Sequence, residues 1–247
     1  MRLLKLLTNL NRIPEIRLCR AATPQWKKLT ACYIGFPVKL PFEIQLKTGS
    51  FRFVTLADVR TFWVVFFSDT YHVRDTDRVI VDAGANIGTF TLYALLNAPK
   101  SKVIAIEPAP DSCARLRKVV GDHGFASRCT IHQAALGNQD GATTMDLGQE
   151  SQFRSTGRGT VSVPVVTLDS VVRDSGVDLL KMDIEGSEYG VLASPPRCLE
   201  HLQRLAMEYH PNGSLQEVIP TLERAGLKCI SRRDDGYGYG IARFERG

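Results

Sequence analysis

Two pairs of side chains share one spacing: Asp183 with Glu185, and Glu208 with His210. Residues two apart on an extended strand project to the same side, so each pair would present two acid–base groups to one face. Such a group within hydrogen-bond reach of a hydroxyl can take its proton as the oxygen attacks carbon. His210, with a reference pKa of about 6.5, suits that task at neutral pH, and Glu185 is the other candidate base. Lys181 stands two residues before Asp183, where it could orient Asp183 or Glu185 through an ion pair. His210, Glu185, Asp183 and Lys181 are therefore the catalytic candidates. Asp183 and Glu208 could instead hold Mg²⁺ with water, although two acids at strand ends are also common without metal.

A second constellation lies a hundred residues earlier, in Val81-Asp82-Ala83-Gly84-Ala85-Asn86-Ile87-Gly88. Gly84 permits a tight turn and a close backbone approach. Gly88 would open a helix whose free N–H groups face a polar ligand. Glu107 follows at the end of the next apolar run, where a carboxylate can accept hydrogen bonds from both hydroxyls of a ribose. A dinucleotide fingerprint would read Gly-x-Gly-x-x-Gly, with glycines dense enough to cradle a pyrophosphate. Here Gly84 and Gly88 stand four apart and Asp82 precedes them, which fits S-adenosylmethionine, a nucleoside without phosphate. Asp82, Gly84, Ala85, Asn86, Gly88, Glu107 and Asp183 are the resulting cofactor candidates. Tyr71 could join them at the amino-acid end of the cofactor, or simply pack.

Positioning these residues requires strands that end at them. From Val79 the chain alternates short apolar runs with amphipathic stretches: strands at 79–83, 102–106, 130–135, 178–183 and 205–209, and helices at 89–96, 111–120, 187–193 and 215–225. The runs 228–231 and 240–244 read as a closing antiparallel pair. Such alternation predicts a doubly wound, mostly parallel seven-stranded sheet with an antiparallel C-terminal strand, its ligands at the carboxyl ends of the strands. A polar insertion at 138–165, with hairpin strands at 143–147 and 160–166, is the expected acceptor-recognition region, and Arg154 and Arg158 lie in it. Asp169 is expected to cap or start a helix at 170–174.

Residues 1–76 read as an N-terminal extension and 77–247 as the catalytic domain. The extension has helical leucine spacing at Leu3, Leu6, Leu7 and Leu10, a hairpin around Thr48-Gly49, and an apolar helix near Phe62–Phe67. Residues 1–75 hold twelve Lys/Arg against five acids, and the rest nineteen against twenty-one, within a net charge of +5. A basic leader is compatible with peripheral contact to an anionic membrane, or simply with a solvated face. Lys5 interrupts the opening apolar run and no small-residue cleavage site follows, which argues against a signal peptide. A 44% hydrophobic content and six scattered cysteines suit a globular chain with reduced thiols, and hence a cytoplasmic location.

Four segments in order carry a resemblance: Asp82–Gly88, Ala134-Ala135-Leu136-Gly137, Val166-Thr167-Leu168-Asp169 and Lys181-Met182-Asp183-Ile184-Glu185-Gly186-Ser187-Glu188. Together they resemble the FkbM family of methyltransferases over roughly residues 79–210. The resemblance implies a class I, Rossmann-like methyltransferase fold that uses S-adenosylmethionine, and it adds Ala135 to the cofactor candidates. It also implies a small hydroxylated acceptor such as a sugar, a polysaccharide or a secondary-metabolite unit. An RNA or protein methyltransferase, or a methyltransferase-like binding module, would be the alternative. No base-methylating signature is present, so nucleic acid is not the expected partner.

Overall fold

The computed structural model describes residues 12–146, 159–173, 175–234, 236 and 238–247. Helices α1 (Ile13–Ala22) and α2 (Trp26–Tyr33) precede strands β1 (Phe42–Gln45) and β2 (Ser50–Phe53) and helix α3 (Leu56–Phe67). The strands alternate Phe42, Ile44, Phe51 and Phe53 inward against charged residues outward, and this period of two forms the antiparallel hairpin expected around Gly49. Thr55 starts α3 with a capping box, its hydroxyl accepting from Asp58 N while the Asp58 carboxylate accepts from Thr55 N. Helix α3 buries Phe62 on Phe51 and Phe53, and Trp63 stacks on Tyr33 at 4.3 Å. Residues up to His72, with Asp122–Gly124, form one compact unit. Few residues of helices α1 and α2 are buried, Cys19 alone in α1 and Leu29, Thr30 and Cys32 in α2, so no clear apolar stripe marks them in the sequence. The expected Leu3–Leu10 helix lies outside the described residues.

The second unit comprises Val73–Gly121 and Phe125–Gly247. Its elements are β3 (Val79–Ala83), α4 (Thr89–Asn97), β4 (Lys102–Ile106), α5 (Pro110–Asp122), β5 (Cys129–His132), β6 (Ala135–Leu136), β7 (Gly141–Met145), β8 (Val161–Val166), α6 (Leu168–Val172), β9 (Leu179–Met182), α7 (Glu188–Ala193), β10 (Arg204–Tyr209), α8 (Leu215–Arg224), β11 (Leu227–Asp234) and β12 (Gly240–Arg246). A seven-stranded sheet runs β11-β12-β10-β9-β3-β4-β5, with β12 antiparallel to both its neighbours. This is the doubly wound, mostly parallel seven-stranded sheet that the alternation predicts. The chain steps outward from β3 to β4 and β5, then returns to lay β9 on the other side of β3. The switch point therefore lies between β3 and β9, and a crevice opens at their carboxyl ends. Val81, Leu180, Met182, Leu205 and Met207 fill the core around these central strands. No described helix is long and apolar enough to cross a membrane, and all six cysteines are free.

One local expectation changes, and two stand with adjusted detail. The run 130–135 is not one strand: Cys129–His132 edges the large sheet, while Ala135 and Leu136 pair in parallel with β8 in a separate three-stranded sheet. The side chains decide the split, because Ala135 buries with Ala109, Met145 and Val163 beneath that small sheet. The insertion hairpin forms between β7 and β8, and Arg154 and Arg158 fall outside the described residues. Asp169 lies in the first turn of α6, as expected, and Thr167 is the cap. The Asp169 carboxylate instead accepts from Arg197 N and Cys198 N at 3.0 and 2.9 Å, fastening a distant turn.

Arg204, the first residue of β10, pairs with Asp77 just before β3, and both side chains are buried. Asp77 also accepts from Arg74 N at 2.9 Å. Removing one member of a buried pair strands the other charge, so Asp77→Ala should lower the unfolding free energy by about 3–5 kcal/mol. Urea denaturation followed by circular dichroism measures it.

Candidate active site

Register sets the centre of the crevice. Asp82 of β3 lies directly opposite Lys181 of β9. Lys181 Nζ stands 3.2 Å from Asp82 Oδ1 and 3.6 Å from Asp183 Oδ2, and donates to Gly84 O at 2.7 Å and Ala83 O at 3.3 Å. Burial by itself would favour loss of the proton. The Asp82 and Asp183 carboxylates outweigh it and hold the ammonium above the ordinary lysine range. Thr91 Oγ1, on the first turn of α4, donates to Asp82 Oδ2 at 2.6 Å. The lysine protons are thus committed within the protein, facing carbonyls and acids rather than a ligand.

The loop after β3 is built by close packing. Gly84 has φ +79°, and a Cβ there would lie 1.7 Å from Asp183 O. A Cβ on Gly88, at φ +88°, would meet Leu116 of α5 at 2.6 Å. Gly84 and Ala85 both donate to Ile106 O at 3.0 Å. Asn86 takes the left-handed conformation at φ +48° and donates its N–H to Glu107 Oε2 at 2.8 Å. Ala109 N donates to Glu107 Oε1 at 2.9 Å. Each carboxylate oxygen keeps a second acceptor position. Burial pushes the Glu107 carboxyl up to about 7, opposed by those two backbone donors and by Lys181.

The second pair converges differently from expectation. β9 ends at Met182, and the chain then turns through Glu185 (φ +54°) and Gly186 (φ +95°), so Asp183 and Glu185 do not share an extended strand. The turn nevertheless carries Glu185 Oε2 to 3.4 Å from His210 Nε2. On the other side of the imidazole, Glu188 Oε1 lies 3.2 Å from Nδ1, an ionic contact out of line for a hydrogen bond. Glu188 is fully buried and also accepts from Ile184 N at 2.8 Å, which fixes the start of the turn. Tyr189 OH donates to His210 O at 2.7 Å. Helix α7 therefore grips His210 by ring and by backbone. Desolvation opposes charge on the imidazole, but Glu185 and Glu188 prevail and push His210 up to about 11. It is an imidazolium at neutral pH. Burial also raises the Glu185 carboxyl above its usual range, against the lowering contact with His210.

The donor set does not fit the Mg²⁺ site anticipated at Asp183 and Glu208. Among the described residues, the trio that brings ligand atoms within 4.8 Å of one another is Asp183, Glu188 and His210, without Glu208. His210, held between Glu185 and Glu188, and Glu208, raised by burial and the nearby Asp183, both keep protons that a cation would have to displace. Ala135 is buried in the core of the small sheet, so only its backbone could meet a ligand. Tyr71 is buried and belongs to the first unit. Two residues with clear positions here had no role in the sequence reading. Thr91 left no signal beyond its place in a helix. Glu188 was visible only as the last residue of the acidic motif, because its partner His210 lies on another strand.

Glu188→Gln removes one of the two charges that keep the imidazole protonated. The His210 pKa should then fall below about 11, read from the imidazole resonances in an NMR titration. An unchanged value would assign the proton to Glu185 alone.

Comparison with known proteins agrees with this geometry. A profile of the methyltransferase FkbM domain matches residues 82–229, from β3 into β11. The chain is 30% identical over 195 residues to 31-O-demethyl-FK506 methyltransferase FkbM of Streptomyces tacrolimicus, covering 63% of this chain and 75% of that protein. It is 29% identical to Methyltransferase 1 of Beauveria bassiana, over 52% of this chain and 63% of that one. It is 24% identical to hexuronic acid methyltransferase AglP of Haloferax volcanii, over 74% and 86%. On the fold, the loop and this match, the chain belongs to the methyltransferase FkbM domain family and is an S-adenosylmethionine-dependent methyltransferase.

Proposed function

We propose that this enzyme methylates a hydroxyl oxygen on a small ring-bearing acceptor, a sugar or a related unit. The observation that carries the reading is the Glu185–His210–Glu188 array beside the switch-point crevice. Two relatives support the acceptor class, one named for a 31-O-demethyl substrate and one for a hexuronic acid.

The surroundings suit a sulfonium. Asp82, Asp183, Glu185, Glu188 and Glu208 gather around two cations, Lys181 and His210, and this excess of carboxyl groups favours a positive ligand. In this reading the Asp82–Gly88 loop and Glu107 hold S-adenosylmethionine, with the open acceptor positions of Glu107 toward the ribose hydroxyls. When bound, that co-substrate supplies a methyl carbon with sulfur as leaving group. The acceptor O–H must give up its proton as the new O–C bond forms and the electron pair of the C–S bond returns to sulfur.

His210 cannot take that proton at neutral pH, because Glu185 and Glu188 already keep it charged. Glu185, partly open and raised above ordinary carboxyls, is the base in this reading. His210 orients Glu185 through Nε2, and Glu188 with Tyr189 holds His210. Lys181 is a positioning residue that clamps Asp82, Asp183 and the Gly84 turn. Alignment of acceptor oxygen, methyl carbon and sulfur would supply most of the acceleration, up to roughly 7–11 kcal/mol.

Calorimetry should show S-adenosylmethionine binding to the folded protein; no binding at millimolar concentration overturns the reading. Glu185→Gln should retain that affinity and lower turnover by about 10²–10⁴-fold. Only the ionised carboxylate accepts a proton, so turnover should fall as pH drops through the raised Glu185 pKa. On the alkaline side it should stay level until His210 deprotonates near 11. A rate that climbs as His210 deprotonates would make the imidazole the base.

A further inference from the structure

From the end of β11 to the start of β12 the sequence reads Asp234-Asp235-Gly236-Tyr237-Gly238-Tyr239-Gly240, and its Tyr239 stands beside His210. Its root is locked. Asp234 Oδ2 accepts from Tyr209 OH at 2.9 Å and from Arg232 Nη2 at 2.8 Å, and Asp234 Oδ1 accepts from Gly236 N at 2.7 Å. Arg232 Nε closes the network on Tyr209 OH at 3.1 Å.

Glycine is needed where the turn lies against β10 and the residues that follow it. A Cβ on Gly240 would lie 2.3 Å from Tyr209 OH, and one on Gly238, at φ +90°, would lie 3.0 Å from Pro211. Between these glycines stands Tyr239, 45% exposed, with its ring centroid 5.6 Å from that of His210 and the planes at 78°. A large aromatic ring held partly in solvent forgoes burial that would otherwise stabilise it. Here the locked root and the glycine packing keep it beside the acid–base array.

We infer that Tyr239 is the acceptor platform of this enzyme, taking the apolar C–H face of a hydroxylated six-membered ring, a pyranoside. A ring lying on Tyr239 would carry its hydroxyls at its edge, toward the adjoining Glu185 and His210. An acyclic alcohol has no such face and would gain little from the contact. The inference rests on the proposed sugar acceptor and adds a residue that selects for it, outside the 138–165 insertion.

The test is saturation-transfer NMR with methyl α-glucopyranoside and methyl glucuronide as probes and glycerol as the acyclic control. It uses the full chain loaded with S-adenosylhomocysteine, with calorimetry of S-adenosylmethionine on every variant. The wild type should show saturation of the pyranoside C–H protons and none on glycerol. Tyr239→Ala should weaken pyranoside binding about 3–10-fold with unchanged S-adenosylmethionine affinity, and Tyr239→Phe should retain it. Equal pyranoside binding by wild type and Tyr239→Ala overturns the platform and leaves the sugar reading standing. No pyranoside signal from a wild type that binds S-adenosylmethionine overturns both the platform and the sugar acceptor, while methyl transfer itself stands.

Discussion

A buried ammonium between two carboxylates and two carbonyl oxygens holds the catalytic end of this sheet together. Taking Lys181 out of water costs several kcal/mol, and the cost is offset only because Asp82, Asp183, Ala83 O and Gly84 O all face Nζ. That requirement ties three things to one another: the β3–β9 register, the sharp turn at Gly84, and the path of the chain past Asp183. The contact of Gly84 with Asp183 O shows how tightly the two strand ends are drawn together. The loop after β3 is thus shaped largely by the lysine behind it.

The same electrostatic logic governs the outer part of the site with the opposite emphasis. His210 is a cation by virtue of two glutamates, one fully buried and one partly open. Glu208 relieves the crowding of acids, because burial and the nearby Asp183 hold its carboxyl well above the usual range. A single imidazole read in isolation looks like a base. Set between Glu185 and Glu188 it becomes a fixed positive partner, and in the proposed mechanism the role of base passes to a carboxylate. Titratable groups whose environments push their pKa values apart sort themselves into roles in this way.

Much of the fold was legible because apolar runs and amphipathic stretches alternate clearly from Val79 onward. The five parallel strands stand within a few residues of where the pattern puts them, and the closing antiparallel pair is longer at both strands than expected. The run 130–135 was misread since nothing local distinguishes the residues that pair with β4 from those that pair with β8. Helices α1 and α2 escape sequence reading because few of their residues are buried, and Pro14 and Pro24 break the pattern at their starts. At the site, Asp82, Glu107, Lys181, Asp183, Glu185 and His210 were all visible as residue types at suggestive spacing.

The sequence alone determined the architecture, the S-adenosylmethionine chemistry and the identity of most of the polar groups at the crevice, because hydrophobic periodicity and motif order are local properties. The tertiary structure decided what those groups are to one another. Protonation at His210 depends on Glu188 and Glu185, which reach it from α7 and from the turn after β9. The position of Tyr239 depends on a hairpin folding back from the far edge of the sheet. Electrostatic energy and packing act through space, and distances between strands are set only when the chain is folded.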